Sequence, residues 1–107
     1  MKIYFAGSIA GGREYVELYL ELISHLKRYG EVLTEHIGND KYDDKTLGHS
    51  SKFIHDRDVA WLTSSDVIVA DCTIPSLGVG YEIATAIHLR KRYYAYSMQR
   101  QAKSSLR

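Results

Sequence analysis

Apolar residues in this chain fall into blocks of two kinds, and their alternation predicts its architecture. "KIYFAG" (residues 2–7) is a compact apolar run ending at a glycine, the pattern of a buried strand. In "GGREYVELYLELISHLKRYG" (11–30), Tyr19, Leu22, Ile23 and Leu26 stand at i, i+3, i+4 and i+7, one stripe of an amphipathic helix, with Gly30 expected as its C-cap. "EVLTEH" (31–36) predicts a second strand. Residues 37–51 are polar, carry glycine and have no period, so they read as a long surface loop. "SKFIHDRDVAWLTSS" (51–65) predicts a second helix with Ser51 as N-cap, and the β-branched "DVIVADC" (66–72) a strand covered on both faces. "GYEIATAIHLRKR" (80–92) predicts a third helix entered through a glycine-bearing bend, and "YYAYSM" (93–98) a fourth strand.

Strands and helices that alternate in this way predict an α/β fold with a parallel sheet of about four strands. One domain over residues 1–96 with a polar, basic tail over 97–107 is expected. In such sheets ligands bind beyond the carboxyl ends of the strands, at a switch in strand order. Two glycine-bearing turns fall at such ends, "AGSIAGGR" and "PSLGVGYE".

Charge and cysteine content narrow the function classes. Fourteen basic against thirteen acidic residues, a formal net charge of +1, give no electrostatic case for nucleic acid. No apolar run has membrane-spanning length, and the single cysteine, Cys72, has no partner for a disulfide or a metal site. A cytoplasmic protein is expected. "GSIAGGR" is neither a dinucleotide fingerprint nor a phosphate loop ending in G-K-[ST], so no cofactor is expected and no metal either.

The candidate chemistry rests on two carboxyl groups. Asp58 shares the apolar stripe of the second helix with Ile54, Trp61 and Leu62, where lost hydration favours the protonated acid. Glu82 is expected in the first turn of its helix, where the macrodipole favours the carboxylate. Two carboxyls pushed apart in this way divide the roles of acid and of nucleophile or base in glycosidic bond cleavage. Around them, Tyr4 lies on the first strand, Ser8 and Arg13 flank the first glycine turn, and Glu35 and His36 close the second strand. Ser76 shapes the turn after Pro75 or donates to an anion. Cys72 reads as a small buried hydrophobe, Trp61 as core, and His55 and His88 as surface residues.

"YFAGSIAGGRE", "GEVLTEHIG" and "FIHDRDVAWLTSSDVIVADCTIPSLGVGYEIATAIHLRKR" together resemble the nucleoside 2-deoxyribosyltransferase family, and in it the branch of 2'-deoxynucleoside 5'-monophosphate N-glycosidases. The likeness runs from Met1 to about Arg92. It implies a flavodoxin-like (Rossmann-like) sheet, a deoxynucleoside monophosphate as small-molecule substrate and a homodimer. It also implies roles: Glu82 as nucleophile at C1' of the sugar, Asp58 as acid, Tyr4 as the group that holds Glu82. Ser8 and Ser76 match phosphate-binding positions, with Gly7, Ile9, Gly78 and Gly80 beside them, and His36 matches a residue near the base. Two departures stand out. Ala10 replaces an arginine of the monophosphate hydrolases, which leaves Arg13 as the nearby cation. The family's later phosphate-binding serine has no match beyond Ser104 or Ser105. A transferase acting on unphosphorylated deoxynucleosides and a non-catalytic nucleotide-binding protein are the rival readings.

Overall fold

The computed structural model of the chain describes residues 1–8, 12–34 and 48–97, with the backbone alone at 12–14. Four strands, β1 (Lys2–Ala6), β2 (Glu31–Val32), β3 (Val67–Asp71) and β4 (Arg92–Tyr96), form one sheet in the order β2-β1-β3-β4, every pair parallel. Three helices connect them: α1 (Gly12–Leu26), α2 (Ser51–Ser64) and α3 (Leu77–His88). This is the flavodoxin-like order that the alternating blocks imply. Strand order reverses between β1 and β3, so the crevice beyond their carboxyl ends is where such a sheet takes ligands.

The period of two in the central strands divides the core. Ile3, Phe5 and Val67 point to one face, where Tyr19 and Ile23 of α1 cover them; Tyr4, Ala6, Ile68 and Ala70 point to the other, beneath Leu62 of α2 and Val79 and Ala86 of α3. Tyr19 meets Phe5 edge to face at 5.2 Å between ring centroids. Its ring also explains Gly7: a Cβ there would lie 2.9 Å from Tyr19 Cε2 and Cζ.

Several boundaries differ from the sequence expectation. Gly30 does not cap α1, which ends at Leu26. It is required because a Cβ would stand 2.0 Å from the Met1 carbonyl oxygen, the acceptor for the Glu31 N–H. β2 is two residues long, because the Thr34 side chain takes over from the backbone ladder. Its Oγ1 accepts from the Phe5 N–H at 2.8 Å and donates to the Phe5 carbonyl at 2.7 Å. Ser50, not Ser51, caps α2, accepting from the Phe53 N–H at 3.1 Å. Within the apolar stripe of α2 only Leu62 is fully buried.

The largest difference concerns "PSLGVGYE". The expected bend is helical: Ser76 is the N-cap of α3, its hydroxyl accepts from the Val79 N–H, and Gly78 and Gly80 lie in the opening turns. At its other end α3 stops earlier than the apolar pattern suggests. Arg90 takes φ of 58°, and Lys91 and Arg90 return their N–H groups to the Ala86 and Ile87 carbonyls, a Schellman closure that turns the chain into β4.

Candidate active site

Tyr4 stands in the middle of β1 on the face covered by α2 and α3, and its hydroxyl donates a hydrogen bond to Glu82 Oε2 across 78 positions of sequence. Glu82 lies in the second turn of α3, past the reach of the macrodipole that the sequence reading invoked. Burial decides its chemistry instead. Loss of hydration raises its carboxyl from 4.5 to about 7, the Tyr4 hydrogen bond works against that rise, and the charge of Asp58 adds to it. The carboxylate expected to stay ionised is therefore the one the fold makes hard to ionise. Tyr4 is raised far beyond the ordinary phenol range, first by burial, then by the charge and hydrogen bond of Glu82 and the charge of Asp58; Arg57 opposes this.

Asp58 reaches the same site from α2, but it is not a carboxyl sealed in the core. Its side chain keeps 31% of its surface in contact with solvent, and its Oδ1 takes both the Nε and the Nη2 of Arg57 at 3.0 Å. Asp58, Glu82 and Tyr4 thus share one electrostatic neighbourhood built by three elements, with Arg57 as its cation. Arg57 is the residue that the sequence reading missed. The signal was present in the spacing of Phe53, Arg57 and Trp61 at i, i+4 and i+8, which stacks a guanidinium between two rings.

The remaining expected residues divide into groups. Gly7 and the buried Ser8 follow β1, while Ser76, Gly78 and Gly80 open α3 after β3, each at the carboxyl end of one of two neighbouring strands. Beside α3 a hollow of about 460 Å³ is lined by Cys72, Pro75, Ser76, Leu77, Gly80 and Ile83. Cys72 is exposed rather than buried, because β3 ends at Asp71 and the chain leaves the sheet there. A Cβ on Gly80 would meet nothing within 4 Å, and one on Gly78 only the Ser76 hydroxyl at 3.7 Å. Their backbone is not hemmed in by the described residues. Ile9, Ala10, Glu35, His36, Ser104, Ser105 and the side chain of Arg13 lie outside the described residues. Among the described residues no group of three or more His, Cys, Asp or Glu side chains could hold a metal ion, and no helix is long and apolar enough to cross a membrane.

Fold and site together define a flavodoxin-like α/β domain whose distinctive chemistry is a buried carboxyl group, held by a tyrosine and faced by a second carboxylate. The chain belongs to the nucleoside 2-deoxyribosyltransferase family, whose sequence pattern it matches over residues 3–105. It is 55% identical over 93 residues to a 5-hydroxymethyl-dUMP N-hydrolase of Danio rerio, covering 86% of this chain and 65% of that protein. It is 50% identical over 91 residues to the protein of the same name from Mus musculus, covering 83% of this chain and 53% of the relative. The chain therefore spans a little under two thirds of the Danio relative and about half of the mouse one. A conserved protein of Enterococcus faecalis shares the fold with a TM-score of 0.69 at 29% identity, over 98% of this chain and 69% of that one.

Proposed function

We propose that this chain is an N-glycosidase that releases the base from a 2'-deoxynucleoside 5'-monophosphate. The observation that carries this reading is the Tyr4–Glu82 hydrogen bond beside Asp58, a carboxylate constellation that β1, α2 and α3 build on one face of the sheet. The names of its relatives point to a deoxyuridylate bearing a 5-hydroxymethyl group as substrate. In this reading Glu82, once ionised, attacks C1' of the deoxyribose, and the C1'–N bond breaks with its electron pair on the base. Asp58, which keeps contact with solvent, takes a proton from water and passes it to the departing base. Water then attacks C1' of the glycosyl ester and gives its proton to Asp58, which frees Glu82 as a carboxylate and yields 2-deoxyribose 5-phosphate. Both arginine contacts fall on Asp58 Oδ1, which supports Oδ2 as the oxygen that carries the proton. Tyr4 holds Glu82 and favours its ionised form. Ser8, Ser76 and the open backbone at Gly78 and Gly80 receive the sugar phosphate, with Gly7, Ile9, Arg13 and His36 completing the binding surface.

Chromatography of the purified protein incubated with 5-hydroxymethyl-dUMP, the four common deoxynucleoside monophosphates and the matching nucleosides tests the reading. Free base is expected from monophosphates alone, and Glu82→Ala should lose that release by at least about a thousandfold while keeping its circular dichroism spectrum. Release from nucleosides with exchange onto an added base would make the chain a transferase. Binding without turnover would make it a nucleotide-binding protein.

A further inference from the structure

Arg57 is not placed like an ordinary surface arginine. Neighbours in a helix do not face one another, yet Arg57 turns back onto Asp58, the next residue, with two nitrogens at 3.0 Å from one oxygen. What holds it there is a column along α2. The guanidinium lies 4.8 Å from the centre of the Trp61 ring and 5.8 Å from that of Phe53, which in turn lies 4.5 Å from the His49 ring. Its side chain retains only 13% of its exposure. An exposed ion pair contributes little because two long side chains must be ordered in high dielectric. Here stacking has already ordered the arginine, and partial burial strengthens the pairing.

The reason for such a device lies across the site. Asp58 from α2 and Glu82 from α3 bring two negative charges together beside the phenol of Tyr4 from β1, and the charge of Asp58 acts on both of the others. Among the described residues, these are the titratable groups that act on Glu82. His55, the other titratable side chain of α2 near α3, packs against Tyr81 at 6.0 Å on the exposed side. At the Tyr4 hydroxyl the charge of Arg57 opposes that of Asp58.

We propose that Arg57 is a positioning residue of this site: clamped between Phe53 and Trp61, it fixes the Asp58 carboxyl group and offsets its charge, so that Glu82 can become a carboxylate beside it. The inference deepens the glycosidase reading and rests on it for its catalytic meaning. Arg57→Met keeps the apolar stem over Trp61 and removes the charge. Arg57→Lys keeps the charge and loses the flat stacked fork.

Two measurements separate this proposal from the reading beneath it. The first requires no turnover. In protein labelled with ¹³C at glutamate carboxyls, the Glu82 signal is identified by its absence from Glu82→Gln. Its titration midpoint, about 7 in the parent, should rise by about one unit in Arg57→Met and by less in Arg57→Lys. An unmoved midpoint in folded Arg57→Met overturns the proposal whether or not the chain is a hydrolase. The second is the pH profile of kcat/KM for monophosphate hydrolysis. The acid limb should move up with the midpoint, so that Arg57→Met loses about tenfold at pH 6 and recovers most of that loss by pH 9. An equal loss at every pH would reduce Arg57 to a structural residue. No hydrolysis by the parent would sink the glycosidase reading alone, and the carboxyl titration would still decide on Arg57.

Discussion

Glu82 shows how a single residue is set by what covers it. Its carboxyl is raised from 4.5 to about 7 in the folded protein, so the folded state holds the proton more tightly than the unfolded chain. The sign follows from linkage. Stability from this group is fully present below about pH 4.5 and is lost as pH rises through about 7, a difference of roughly 3 kcal/mol. Glu82→Gln stays neutral and lacks that dependence. Between pH 5 and pH 8 the parent should therefore lose roughly 2 kcal/mol more than the variant, read from urea unfolding at the two pH values. Parallel pH slopes would remove the burial argument. The same group shows what was legible in advance. Glu82 and Asp58 stand out in the sequence as carboxyls next to apolar runs, and the structure brings them together with Tyr4. The burial expected of Asp58 falls on Glu82 instead. Sequence spacing counts turns within one helix, whereas hydration depends on what the other elements place on top. For Asp58 that was an arginine one residue away, which helical periodicity puts on another face.

At the scale of elements, the opening of α3 combines two demands that pull apart. Ser76 caps the helix well, yet Gly78 and Gly80 stand where alanine would favour the helix by about 1 kcal/mol each. Neither glycine has a positive φ, and a Cβ on either would clash with none of the described residues. The sequence read these glycines as a flexible bend, and the folded chain makes them the start of a helix whose backbone is bare on its outer side. Gly80→Ala should therefore raise the thermal midpoint while raising KM for a monophosphate substrate several-fold. A variant that is stabler and binds unchanged would show that no ligand approaches this turn. The contrast with Gly7 and Gly30 is instructive: there the neighbouring Tyr19 ring and Met1 carbonyl leave no room for a Cβ, a requirement no local pattern could reveal.

For the whole molecule, the sheet has one strand that its own helices cover poorly. All of β4 is exposed or half-buried; Tyr93 keeps 46% of its surface and Tyr94 58%. Among the described residues β4 lies at the end of the sheet, with its outer backbone groups unpaired by another strand. The sequence reading expected an open edge at "YYAYSM", covered by dimerisation or by the tail folding over it, and a strand of this kind is a template for association. Sedimentation of this 107-residue chain should show a concentration-dependent dimer that the double variant Tyr93→Lys, Tyr94→Lys weakens at least tenfold. A parent that sediments as a monomer at every concentration would count against that surface.

What the sequence by itself determined is the layout. Alternation of apolar blocks specified four parallel strands and three helices, because periods of 2 and 3.6 are local properties that survive any tertiary arrangement. A run of motifs from Met1 to about Arg92 also pointed to the family. The tertiary structure alone decided the chemistry: which carboxyl lost its water, which arginine joined the site, and which glycines were forced by contact rather than by conformation. Those outcomes depend on atoms far apart in sequence, such as Tyr4 and Glu82, whose dielectric surroundings exist only once β1, α2 and α3 have closed on one another.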